Sequence, residues 1–207
     1  MRTFQLYKDP QALGYPLFKK SRITIQEGLT VLVGCNGIGK TTLIRAIIDS
    51  NWKKNIPTLS FDNLHDGGFN ARAKAGYDGD MSFLATSMFS SEGENIYLNV
   101  GKFVQNIGQF IRKHDNVDEI WICMDAVDSG FSIDNVVELK ELIKDIILGD
   151  NKEKSLYIIV SANEYETANG EECFDVYNGK YIKFKDYEDY KKMILESRKQ
   201  KDNRDKS

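Results

Sequence analysis

Cysteine is scarce and scattered. Cys35, Cys123 and Cys173 are odd in number, far apart and form no CxxC pair. Neither a disulfide framework nor a thiolate metal site is supported, and reduced thiols in a cytosolic protein are expected. Histidine is scarcer still: His65 and His114 stand isolated and support no metal site. There is no signal peptide and no apolar run long enough to cross a bilayer, so a cytoplasmic location without a membrane partner is expected. Positive charge is not in surplus. The formal net charge is −3, which argues against coating nucleic acid with the whole surface but leaves room for a local basic groove. Internal repeats, low-complexity linkers and long heptad regions are also missing.

What is present suits one compact α/β domain, or one domain with a small insertion. The chain has 207 residues, 41% of them hydrophobic and 29% charged, enough for a full core and too apolar for gross disorder. Residues Lys191 to Ser207 are rich in Lys and Arg but also carry Glu196, Asp202 and Asp205. That mixture predicts a solvated helix with a frayed tail rather than a DNA-binding arm.

Arg2 to Tyr7 and Arg22 to Gln26 read as short strands. The almost wholly apolar run Leu29 to Val33 reads as a buried parallel strand. It leads into Gly34-Cys35-Asn36-Gly37-Ile38-Gly39-Lys40-Thr41-Thr42, after which Leu43, Ile44, Ala46, Ile47 and Ile48 follow at helical spacing. Further strands are predicted at Pro57 to Phe61, Glu119 to Met124 and Ser155 to Ser161. Asp66 to Asp80 reads as loop with a short helix. Long helices are predicted from near Ser91 toward His114 and from Ile133 to Ile147, the latter amphipathic. Asn178-Gly179, between Cys173 to Tyr177 and Lys180 to Phe184, predicts a hairpin with a type I′ turn. A last helix starts at Asp186. Buried strands alternating with helices give a mostly parallel sheet with antiparallel additions.

The glycine segment fits the phosphate-loop pattern Gly-x-x-x-x-Gly-Lys-Thr. Glycines let backbone N–H groups crowd around phosphate oxygens, and the following helix adds its positive dipole end. Lys40 would supply a point charge to the β- and γ-phosphates, and the Thr41 hydroxyl would ligate Mg²⁺. A glycine turn with a solvated lysine is the plainer reading, but placement between a buried strand and a helix favours nucleotide. The nucleotide-binding set is therefore Gly34, Cys35, Asn36, Gly37, Ile38, Gly39, Lys40, Thr41 and Thr42.

With Asn36 and Thr42 included, the loop resembles that of the ATP-binding-cassette (ABC) superfamily, especially its soluble SMC-like and DNA-repair branch. The resemblance implies that Asn36 joins the loop to a partner subunit and that Thr42 touches the α-phosphate. Met124-Asp125 then looks like a Walker B element, with Asp125 holding Mg²⁺ through water. The family follows that Asp with a catalytic Glu; here the position is Ala126, which accepts no proton. Either the chain is a natural ATP-binding switch with poor turnover, or Ala126 replaces a Glu to trap the ATP-bound state. The intact surroundings lean to the second, and the sequence decides neither. Asp128-Ser129-Gly130-Phe131-Ser132 resembles the D-loop; Asp128 could substitute as base, although its family counterpart does not.

Ser90-Ser91-Glu92-Gly93-Glu94-Asn95 resembles the cassette signature, with Ser91 and Gly93 at matching positions and Glu92 departing from the usual glycine. Ser91 and Glu94 also have capping-box spacing, so an ordinary helix cap explains them equally simply. In the family this helix end holds the γ-phosphate of ATP bound to the other subunit. No Gln lies between Lys40 and Glu94, so Asp62 or Asn63 would have to take the role of the family's loop glutamine. The switch histidine is absent from Ser161-Ala162-Asn163; Asn163 could bond a γ-phosphate or cap a turn. Tyr7, Tyr15 or Phe18 could stack on adenine. Arg72 is the sole hint of a kinase-like lid.

The expectation is an α/β P-loop fold, a minimal ABC head over residues 1–190, with a signature-bearing insertion at about 62–114 and a helix end and polar tail at 191–207. It would bind ATP and Mg²⁺ and form a homodimer, with a DNA or protein client. The pattern is similar to small predicted ATPases of tailed bacteriophages and their hosts. A non-hydrolysing nucleotide sensor that binds a protein partner is the alternative.

Overall fold

A computed structural model describes residues 1–6, 17–62, 77, 92–129, 131–148 and 154–205. Strands β1 (Arg2–Gln5) and β2 (Arg22–Ile25) pair antiparallel as a separate two-stranded sheet. The main sheet holds β3 (Gly28–Val33), β4 (Thr58–Asp62), β5 (Glu119–Asp125), β6 (Ser155–Ser161), β7 (Cys173–Asp175) and β8 (Lys180–Ile182) in the order β4-β5-β6-β3-β7-β8. The first five run parallel and only β8 is antiparallel. Helices are α1 (Lys40–Lys53), α2 (Glu92–Lys113), α3 (Ile133–Leu148), the short α4 (Tyr165–Ala168) and α5 (Tyr187–Arg204).

The central strands β3, β5 and β6 are buried along most of their length because both faces of the sheet are covered there. Alternation sends Trp121, Cys123, Tyr157 and Ile159 to the face under α1 and the β1–β2 sheet. Ile120, Ile122, Met124, Leu156, Ile158 and Val160 go to the face under α2 and α3. Trp121 fixes the first face by stacking on Tyr157 at 4.3 Å between centroids and taking the edge of Phe4 at 5.2 Å. A third cluster, with Val31, Val33, Phe184 and Tyr190, seats α5 beside β3 and β7. All three cysteines are free and buried. Burial pushes the thiols of Cys123 and Cys173 up to about 12, so both are inert.

Two local expectations need correction. The hairpin forms, but Cys173 pairs with Ile182 and Asp175 with Lys180, which leaves residues 176–179 in the turn. Of Asn178 and Gly179 only the glycine has positive φ (62°), so the turn is not type I′. The Asp175 carboxylate takes the Asn178 N–H at 3.1 Å and its amide at 2.7 Å, and this side-chain turn displaces the two-residue one. The C-terminal helix is not merely solvated: Ser197 and Arg204 are buried against the loop that follows β3.

Because β6 lies between β3 and β5, the ends of these three strands converge at one edge of the sheet. Ligands of open α/β sheets bind beyond that edge.

Candidate functional site

The segment from Gly34 to Gly39 leaves the buried strand β3 and enters α1 through three positive-φ glycines: Gly34 (144°), Gly37 (78°) and Gly39 (119°). Gly39 caps α1, where a Cβ would come within 3.1 Å of the Phe18 ring. With glycine there, no side chain bonds the first N–H groups, and no acidic residue occupies the first turn of α1. Ordinary helices neutralise this end with Ser, Asp or Glu. Here the uncapped donors border a cavity of about 530 Å³.

Asn36, Gly37, Gly39, Lys40, Thr41 and Thr42 line that cavity, together with Asp125, Ala126, Ser161 and Asn163. The loop, the strand-end aspartate and the position after it are thus brought to one place. Gly34, Cys35 and Ile38 stand off it. The Gly34 carbonyl accepts from Lys40 Nζ at 2.8 Å, Cys35 and Ile38 are buried in the core, and Ile38 N–H turns back to the Cys35 carbonyl at 3.2 Å. Ser91 and Asn63 lie outside the described residues, as do Tyr7, Tyr15, His65, Arg72 and Gly130. Gly93 falls in the first turn of α2, which begins one residue after Ser91. Phe18 is 8% exposed and packs into the core beside Gly39, so it offers no open face to a base. Asp62 sits in register beside Asp125 at the strand ends, 3.9 Å from Arg45, but does not line the cavity.

Lys40 is 8% exposed, and burial holds its amine below the usual 10.5, opposed by the charges of Asp128, Cys35 and Asp125. A polyphosphate replacing the Gly34 carbonyl would raise it again. Nucleotide affinity is therefore expected to fall as pH rises from the lowered value of the free protein toward that of an ordinary lysine. Binding in that window takes up a proton, which calorimetry in buffers of different ionisation heat will measure.

Asp125 closes β5 at 6% exposure, and its Oδ1 accepts from Ser161 Oγ at 2.6 Å. The same hydroxyl accepts from Ala126 N–H at 2.7 Å. Ala126 has φ 52°, a left-handed conformation costly for a residue with a Cβ, and it borders the cavity. No group of three or more His, Cys, Asp or Glu side chains that could hold a metal occurs among the described residues. A magnesium ion carried in on phosphate would need none; Thr41 and Asp125, which both line the cavity, are the hydroxyl and carboxylate that could hold one.

Asp128 is fully buried and takes four hydrogen bonds: from the N–H groups of Asn163 (2.8 Å) and Glu164 (3.0 Å), the Asn163 amide (3.1 Å) and the Thr167 hydroxyl (2.7 Å). It is an anchor for the start of α4, not a spare base. The Asn163 amide is held further by Ser129 Oγ at 2.9 Å, so its side chain belongs to this anchor although the residue borders the cavity.

The sequence places a last helix at Asp186 but does not reveal that α5 docks on the phosphate loop. Ser197 Oγ accepts from Cys35 N–H at 3.0 Å. Arg204 donates to the carbonyls of Leu17, Ile38 and Gly37, each at 3.3 Å. Lys201, Arg204 and Asp205 border the cavity. Tyr190, Ile194, Ser197, Lys201 and Arg204 recur at helical spacing, the one signal available.

A glycine loop between a parallel strand and a helix, with a neighbouring strand ending in a buried aspartate, is the layout of a P-loop fold, and the mostly parallel six-stranded sheet flanked by helices, with its antiparallel additions, fits the fold of a minimal ATP-binding cassette. Among solved structures the chain is similar to a nucleotide-free ATP-binding cassette from an ABC transporter, with 16% identity and a TM-score of 0.50 over 95% of this chain and 97% of that one. At that identity the likeness concerns the fold. No protein-family model and no curated protein matches the sequence.

Proposed function

We propose that the chain binds ATP with Mg²⁺ at the loop 34–42 and closes head-to-tail on a second copy, with slow turnover. The observation that carries this reading is the shared cavity: uncapped N–H groups of α1, a buried Lys40, the Thr41 hydroxyl and the strand-end Asp125 border one space. Asn36 and Gly37 are exposed at its rim, where a partner would meet the loop. The first turn of α2, with Gly93 and the neighbouring Ser91, would face the partner's nucleotide. Closure would be passed to a DNA or protein client.

Slow turnover is proposed because Ala126 stands where the family's Glu would be and Asp128 is fully engaged elsewhere. The same observation favours the second reading, a nucleotide sensor that binds a protein partner and does not hydrolyse. Both are tested together. Mg-ATP is expected to shift the solution mass toward a dimer, and an unchanged mass at saturating ATP rejects the clamp. Phosphate release should be slow for this chain and faster for Ala126→Glu. Tight binding with no turnover in either protein favours the sensor.

A further inference from the structure

Helix α5 lies across the outer side of the phosphate loop and contributes charge to its cavity. Ser197 fixes the helix to Cys35 and Arg204 grips the carbonyls of Gly37 and Ile38, so the position of Lys201 between them is set from both sides. The Lys201 stem crosses directly over Gly37: a Cβ there would come within 2.8 Å of Lys201 Cε. The lysine thus passes close over the loop at a glycine whose positive φ the turn requires. Lys201 borders the same cavity as Lys40, Thr41 and Asp125. It is 3.1 Å from Asp205 Oδ2, and Asp205 Oδ1 is 3.0 Å from Arg204. Three cations, Lys40, Lys201 and Arg204, therefore meet two carboxylates, Asp125 and Asp205, around one space. Lys201 is the least enclosed of the two α5 cations, its side chain 21% exposed against 6% for Arg204. Arg204 is committed to loop carbonyls, whereas an ammonium on a flexible stem can exchange partners.

We propose that Lys201 is a second polyphosphate-binding cation, supplied by the C-terminal helix of the same chain, and that Asp205 is the counter-ion it leaves when a nucleotide tail enters. This rests on nucleotide binding at the phosphate loop and adds to it. The loop motif reads phosphate through backbone and Lys40; α5 reads the same tail through Lys201, which passes over Gly37. Occupancy then tightens the helix on the loop, since one more charge-assisted bond joins them through the ligand.

Binding of ATP, AMP and inorganic tripolyphosphate to the full chain tests this, with Lys40→Ala as control. Lys201→Gln is expected to weaken ATP and tripolyphosphate about tenfold, with AMP nearly unaffected. Lys201→Arg should retain most of the affinity. Asp205→Asn should strengthen ATP binding several-fold by releasing the lysine and removing a negative charge. The salt dependence of ATP affinity should be shallower in Lys201→Gln. Melting temperatures report whether the variants keep the fold. Wild-type ATP affinity and salt dependence in Lys201→Gln, while Lys40→Ala has lost binding, overturn the role of α5 alone. Equal ATP affinity in Lys40→Ala and wild type overturns the loop reading and this one with it.

Discussion

Lys40→Ala is expected to weaken ATP binding by at least about 100-fold, equivalent to about 2.7 kcal/mol, and to erase any rise in melting temperature on adding Mg-ATP. The ammonium is buried and bonded to the Gly34 carbonyl beside the cavity, so its contact with phosphate would be less screened than that of a surface lysine. The same burial makes it costly to the nucleotide-free fold, as its lowered pKa records. Removing it should therefore leave the free protein equally stable or slightly more so. A lysine whose main duty were structural would behave oppositely: the melting temperature would fall without ligand, and the ligand response would survive. Thermal melts with and without Mg-ATP, set beside direct titration, separate the two.

Asp128→Ala should give the largest loss of stability, about 3–5 kcal/mol, or roughly 10 °C in melting temperature. Four donors converge on this fully buried carboxylate, two of them backbone N–H groups at the entrance to α4, and removing it leaves the buried Thr167 hydroxyl without its acceptor. Asp128→Asn keeps the shape but brings an N–H₂ group toward donors, so it should recover only part of the loss. Were Asp128 instead the base for hydrolysis, both variants would stop phosphate release at an unchanged melting temperature. Chemical denaturation together with phosphate release distinguishes the roles.

What the sequence revealed, and what it concealed, follows from how local each device is. The phosphate loop was legible because its chemistry is carried by backbone: glycines in a fixed spacing, a lysine and a hydroxyl suffice, and a buried strand before it confirms the setting. Strands β3, β5 and β6 were legible as continuous apolar runs. The Asn178-Gly179 turn misled because the preceding Asp175 competes for the same N–H groups, a contest the dipeptide alone does not display. Asn163 looked available for phosphate until the buried Asp128 was seen to hold it. The docking of α5 was hidden for another reason. Its inward stripe begins apolar, with Tyr190 and Ile194, and turns polar at Ser197, Lys201 and Arg204 because it meets backbone there. A search for apolar periodicity stops where that change begins.

The contacts between α5 and the phosphate loop join residues 162 to 167 positions apart in the chain. Few fragments of the protein could therefore own a finished pocket; the closing of this long chain segment is what completes it. Such distant pairings form late, since their entropy of closure must be met before they repay it. A nucleotide bridging Lys40 and Lys201 would act as a reversible tether between the two ends of that segment. Its signature would be a slower unfolding rate with little change in the folding rate, because the tether exists only once both ends are home.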